Sequence, residues 1–449
     1  MAETQIQVEE TLEPPNQTTP LINKDQQNHK NSEDPQSQNQ EYDENTHLDK
    51  ALLKLESFLA FLGFNQSKVV SFLLSWLAFL CISIVVPVLM LELSSCEGCE
   101  KAQIKSFEID IVVSQALLGA ASLLCLSHNL RKYGIRKFLF VDRCNGRMER
   151  VSDQYIAKIK ESLRLLVLWL LPCLILKTTR EVIRVLYVHH ESWWHSVAIL
   201  LAFLVSWTYV TTVFLSACIV FHLVCTLQII HFEDYGKLLE RESDAMVLIQ
   251  EHVRLRHYLS KISHRFRIFL LLEFFIVTVS QFMTLCQTTG YRGMVTFVNS
   301  GDFAVSSLVQ VVGITLCLNA AAKISHRAQG IGSLASTWHA YLTCSSSDTS
   351  QARVPNSNSI PNFEACYINN SESDVESLDI TPMFGNTQLA SYLSSYHKRQ
   401  SLVTYLQSNP GGITIFGWTV DRGLINTIFF IQLSLVLFVL GKTIVFGST

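Results

Sequence analysis

The sequence has no HExxH pair, no nucleophile elbow and no glycine-rich phosphate loop, so enzyme chemistry finds no foothold and no cofactor is implied. It lacks a basic stripe with interleaved aromatics, and a net charge of −3 spread over 449 residues gives no sign of a nucleic-acid partner. No positively charged start leads into a short apolar run, so no cleavable signal peptide is expected. Large apolar side chains are almost missing from residues 1–47, which are rich in Gln, Asn, Glu, Asp and Pro; that composition predicts a disordered cytosolic tail. Charge is scarce as well, at 16% of the chain against 49% apolar residues.

What remains beyond Lys68 is a series of long apolar runs: Val69–Leu91, Ile109–Leu130, Leu163–Val188, Ser196–Gln228, His264–Thr288, Asp302–Ser325 and Ile415–Val445. Each has about the twenty residues needed to cross roughly 30 Å of hydrocarbon, so the expected fold is all-α, a polytopic seven-transmembrane-helix membrane protein in the plasma membrane or an endomembrane. Pro87 and Pro172 fall inside two spans and predict kinks whose freed carbonyls neighbouring helices satisfy. Lys and Arg number nine in 131–160 and six in 229–265, against two in 92–108, three in 177–195 and one in 284–301. The first set therefore faces the cytoplasm, with the N-terminus cytosolic and the C-terminus outside. That is the reverse of a G-protein-coupled receptor.

The cytoplasmic side is heavy. Residues 231–265 alternate charge with apolar positions, as an amphipathic helix prolonging spans four and five would. Residues 48–343 thus hold an interfacial helix, with Leu52, Leu55, Leu59 and Leu62 toward the inner leaflet, and the first six spans with their extensions. A Ser/Asn-rich linker, 344–387, follows and is expected to be disordered. Residues 388–449 then hold a cytoplasmic anchor helix, stopped at Asn409-Pro410-Gly411-Gly412, and the last span.

Seven of the twelve cysteines fall in apolar runs, where a free thiol behaves as a small hydrophobe. Cys96 and Cys99 alone lie outside, as a local disulfide or two free thiols; a lone CxxC lacks the second pair that zinc needs, so no metal is expected.

Three polar features interrupt the apolar spans. On a helical wheel Gly423, Thr427, Phe430, Ser434, Leu437 and Gly441 share a stripe about 80° wide, with Gln432 opposite. Such a face serves either close helix packing or a pore wall with a hydrophobic gate. Glu273, in the inner half of span five, is either a site or the partner of a snorkelling Arg267 or Arg164. At the outer end of span three, Lys177, Arg180 and Arg184 precede His189, His190, Trp193 and Trp194. This cluster reads as a ligand pocket, or as a Lys177–Glu181 pair beside interfacial Trp anchors.

The stretch "GGITIFGWTVDRGLINTIFFIQLSLVLFVL" resembles the carboxy-terminal signature of the insect gustatory and odorant receptor superfamily, in which a Phe-Gly-aromatic stretch and Asp-Arg lead into the last helix. The whole chain more closely resembles the plant gustatory-receptor-like family, a plant domain of unknown function. With Asp421-Arg422 aligned, the insect Thr-Tyr and Gln-Phe positions fall on Ser434-Leu435 and Gly441-Lys442, so a hydroxyl is kept while Tyr, Gln and Phe are not. The resemblance implies an insect chemoreceptor-like fold with a split last helix. It further implies a homotetrameric, ligand-gated, cation-permeable channel whose last helix lines the pore and whose unknown small-molecule ligand enters from the outer half. A transporter or scramblase-like protein, and a non-conducting receptor or scaffold, are the competing functions.

Overall fold

In lipid the backbone can satisfy itself only within helices or closed barrels, and the apolar runs here fold as helices. The computed structural model describes residues 35–93, 101–140, 152–187, 193–241, 244–290, 297–348, 386–420 and 422–445. They form α1 (Pro35–Phe61), α2 (Val69–Leu80), a π-helical turn (Cys81–Val85), α3 (Val86–Leu93), α4 (Lys101–Leu139), α5 (Ser152–Tyr187), α6 (Trp193–Arg241), α7 (Ala245–Gly290), α8 (Phe297–Asp348), α9 (Asn386–Ser408), strands β1 (Thr414–Ile415) and β2 (Trp418–Thr419), and α10 (Arg422–Val445). Most of the tail (1–34), most of the Ser/Asn-rich linker (349–385), and Cys96, Cys99, His189 and His190 lie outside the described residues.

The chain divides into two units, Met1–Asp43 and Glu44–Thr449. In the first, the described residues, from Pro35 on, are helical. In the second, the main apolar core runs from Leu48 to Val420, beside a small cluster of Leu91, Ile199 and Phe203.

Among the described residues, five stretches are long and apolar enough to cross a membrane: Val69–Glu92, Glu108–Leu139, Ser196–Arg241, Ala245–Met283 and Gly301–Cys344. The last helix adds a shorter apolar stretch, Asn426–Leu435, and α5 carries Lys177, Arg180, Glu181 and Arg184 in its final turns. Burial separates centre from periphery. In α6 and α8, 83% and 72% of the apolar window is buried, against 11% in Val69–Glu92. Helices α6 and α8 are the central pair; α5 packs on both, α4 on α6 and α7, and α10 on α7 and α8. With 49, 46 and 52 residues, α6, α7 and α8 extend roughly 70–80 Å at 1.5 Å per residue. That is more than twice the hydrocarbon thickness of about 30 Å, so each continues well beyond it.

Pro87 has a specific structural consequence. It cannot donate a backbone hydrogen bond, and its ring crowds the preceding turn. The helix widens into the π turn just before it, and in that register the freed carbonyl is that of Ile82. The Ser206 hydroxyl of α6 donates to this oxygen at 2.6 Å. A neighbouring helix thus replaces the bond that proline removes.

Helix α1 differs from the expected interfacial helix. Leu52, Leu55, Leu59 and Leu62 do share a face, but they are buried in the protein core rather than turned to lipid. Arg136 of α4 pairs with Asp49 on the same helix.

Helix α9 also spends its apolar face within the chain. Leu402, Val403 and Leu406 are buried, Gln407 donates to Ser336 at 2.9 Å, and Arg256 donates to Asn409 at 2.7 Å. A two-residue hairpin then links α9 to α10. Phe416 (φ +49°) and Gly417 (φ +89°) form its loop, and two consecutive positive φ values match the twist of paired strands. Glycine adopts such angles freely; phenylalanine does so at a cost. The Ser325 and Ser263 hydroxyls accept from the Ile413 and Thr414 amides, fastening the segment to α8 and α7.

Candidate functional site

Three of the polar residues singled out in the sequence meet carboxylates that carry no motif. Arg180 of α5 donates to Glu108 of α4 at 2.9 Å and to Glu181 at 2.6 Å. Arg184 reaches Glu108 at 3.1 Å and Glu181 at 3.7 Å, with its guanidinium 5.0 Å from the centre of the Phe203 ring. Lys177 bonds Glu181 at 2.9 Å and also pairs with Asp302 of α8. Three cations therefore face three carboxylates, and all but Arg184 are more than nine-tenths buried.

Removing such charges from water is costly unless each meets an opposite one, and here they do. The cavity beside the network, lined by Ser83, Glu108, Gln115, Lys177 and Asp302, has a volume of about 30 Å³. That holds water, whereas drug-sized ligands occupy roughly 300–1,000 Å³. The network therefore ties α4, α5 and α8 together, and any organic ligand has to displace something to enter. Trp193 and Trp194 stand apart as exposed residues at the start of α6, edge to face at 4.9 Å.

Sequence reasoning missed Glu108 and Asp302. The signal was positional: helices that alternate in direction bring the starts of α4's and α8's apolar stretches to the level where α5's ends.

Glu273 also differs from expectation. Arg267 lies over the Phe416 ring at 5.3 Å and Arg164 is exposed, so neither serves as its partner. Its carboxylate instead meets two thiols. Cys218 of α6 donates to Oε1 at 3.5 Å, and Cys317 of α8 completes a trio whose ligand atoms all lie within 4.8 Å of one another. All three are buried to 1% exposure or less. Gly313 permits the approach. A Cβ there would overlap the Phe214 ring and lie 3.4 Å from the Cys218 sulfur. One turn further along each helix, Cys218 and Cys317 face each other. Read singly, these cysteines are small hydrophobes in apolar runs; only the packing of three helices reveals the cluster.

A second buried polar group lies further along α7. The Gln281 amide donates to Gln310 at 3.0 Å, and Gln310 donates to Ser280 at 3.1 Å.

The wheel of α10 has a physical counterpart. Gly423, Thr427, Phe430, Ser434, Leu437 and Gly441 are all exposed on the single chain, Phe430 by 63% and Leu437 by 57%. Thr427 satisfies its hydroxyl on the Gly423 carbonyl at 3.0 Å. Gln432 is 3% exposed and donates to Thr278 of α7 at 3.4 Å. The helix is thus packed by its Gln432 side, and the stripe of small, hydroxylated and aromatic residues is exposed among the described residues.

No curated protein and no solved structure shows significant similarity to the chain. A sequence family described as "Protein of unknown function (DUF3537)" matches residues 50–431, most of the length, and the chain belongs to that family.

Proposed function

We propose that this protein is a subunit of a homotetrameric, ligand-gated, cation-permeable channel of the gustatory-receptor-like type, in which α10 lines a central pore. In this reading seven helices cross the membrane: the five long apolar stretches, α5 with its ionic end, and α10. The N-terminus is cytosolic, the C-terminus lies outside, and the extensions of α6, α7 and α8 stand in the cytoplasm with α9.

The observation that carries the reading is the orientation of α10. Gln432, mid-helix, is turned inward to α7, while Thr427 and Ser434 lie on the exposed face with Gly423 and Gly441, and the exposed Asn426 borders that face near the helix start. A lipid-facing surface gains nothing from hydroxyls and glycines; a wet axis or a partner helix does. Phe430 and Leu437 fit rings that gate by dewetting. The ionic network of α4, α5 and α8 is the ligand-responsive element in this account, because a ligand entering its 30 Å³ cavity must rearrange those ions.

Cysteine scanning tests the pore face. Thr427→Cys, Ser434→Cys and Gly441→Cys should react with small aqueous thiol reagents and change ion flux, while Gln432→Cys stays inert. Phe430→Ser or Leu437→Ser should leak without ligand, since a polar ring keeps the constriction wet. If the stripe serves packing alone, bulkier residues at Gly423 and Gly441 reduce assembly and no variant conducts. Equal labelling at positions 432 and 434, or no leak from any assembled gate variant, contradicts the pore.

A further inference from the structure

We propose that Cys218, Glu273 and Cys317 form a binding site for a thiophilic divalent cation, Zn²⁺ by the chemistry of its ligands, at the junction of α6, α7 and α8. Two independent observations point to a ligand. The first is convergence: three donor atoms from three helices lie within 4.8 Å of one another, with Cys218 Sγ 3.5 Å from Glu273 Oε1. Zinc–sulfur and zinc–oxygen bonds of about 2.3 and 2.1 Å place neighbouring tetrahedral ligands roughly 3.5–4 Å apart, so rotamer adjustments suffice to close the shell. The second is an orphan. Among the described residues, Glu273 Oε2 accepts no hydrogen bond, although the side chain is only 1% exposed. A buried carboxylate oxygen left unpaired is costly, and a cation bound between it and the two sulfurs would satisfy it.

The choice of ion follows from hardness and charge. Two sulfurs exclude Mg²⁺ and Ca²⁺, which take oxygen ligands. Binding converts two thiols to thiolates and releases their two protons. With Glu273 ionised, a divalent ion leaves the site with a single negative charge, where a monovalent thiophilic ion such as Cu⁺ leaves a double one. In an apolar bundle the smaller residual charge is favoured. The second carboxylate oxygen or one water serves as the fourth donor. The site would staple α7 to the central α6–α8 pair at the point where Gly313 lets that pair close.

The test uses the full-length, tag-free chain in detergent micelles, titrated with Co²⁺ as the spectroscopic probe and then with Zn²⁺. The expected result is a thiolate-to-cobalt charge-transfer absorption that saturates at one equivalent per chain and is abolished by Zn²⁺. Cys218→Ser and Cys317→Ser should each remove that band, and Glu273→Gln should weaken binding roughly tenfold or more. Cys225→Ser, another fully buried cysteine of α6 outside the cluster, should keep it. Size-exclusion profiles identify any variant that fails to fold, and the wild-type titration stands without them. Absence of the band in the wild type overturns the proposal, as does its persistence in a folded Cys218→Ser/Cys317→Ser double variant.

Discussion

At the scale of single residues, burial decides what a charge is worth. Glu108 accepts from both Arg180 and Arg184 in a setting nearly closed to water. Glu108→Gln leaves two guanidiniums short of counter-charge, and breaking a buried pair costs about 3–5 kcal/mol. Thermal unfolding in detergent should register this as a large fall in Tm. Glu161→Gln is the contrast. Its pair with Lys158 has side chains 67% and 39% exposed, and loss of an exposed pair costs about 0–1 kcal/mol, so Tm should hardly move. Gly313→Ala belongs with the first kind. The added methyl meets the Phe214 ring, and overpacking at such a contact costs about 1–3 kcal/mol. A Gly313→Ala protein as stable as the wild type would show that α6 and α8 part more easily than their packing implies.

At the scale of elements, the π turn before Pro87 makes its own prediction. Ser206→Ala removes the donor to the Ile82 carbonyl beside the π turn, and an unsatisfied buried acceptor costs about 1–3 kcal/mol. The destabilisation should vanish when Pro87→Ala is made as well, since the backbone then supplies its own hydrogen bond; a double-mutant cycle measures this. Helix existence was legible from apolar run length, and the borrowed donor beside Pro87 followed from proline chemistry. Helix α9 was legible too, from its length and the Asn-Pro-Gly-Gly stop. What the leucines of α1 pack against was not: a one-sided apolar face reads alike whether lipid or protein covers it. The partners of Glu273 were equally hidden, because Cys218 and Cys317 are separated by a hundred residues of chain and join only through tertiary packing. Helix α9 illustrates the same limit. Its length and its stop gave a cytoplasmic helix but not its contacts, and Leu402 and Leu406 are covered by the same chain. Leu402→Asp with Leu406→Asp should therefore release α9 to limited proteolysis even in monomeric protein.

At the scale of the whole molecule, two asymmetries shape the account. The first is charge: fifteen Lys and Arg in loops 131–160 and 229–265 against six in 92–108, 177–195 and 284–301. Terminal tags probed in intact and permeabilised cells should find the N-terminus cytosolic and the C-terminus outside, and a cytosolic C-terminal tag would remove the seven-span reading. The second is the face of α10 left exposed among the described residues. The most direct measurement of the central claim is the assembly of the purified protein, imaged to side-chain detail by electron cryomicroscopy. The expected result is four subunits around an axis lined by Thr427, Ser434 and Gly441, with Phe430 and Leu437 forming its narrow rings and Gln432 directed away into each subunit. A monomer whose α10 stripe faces lipid, or an oligomer whose axis is lined by other helices, would contradict it.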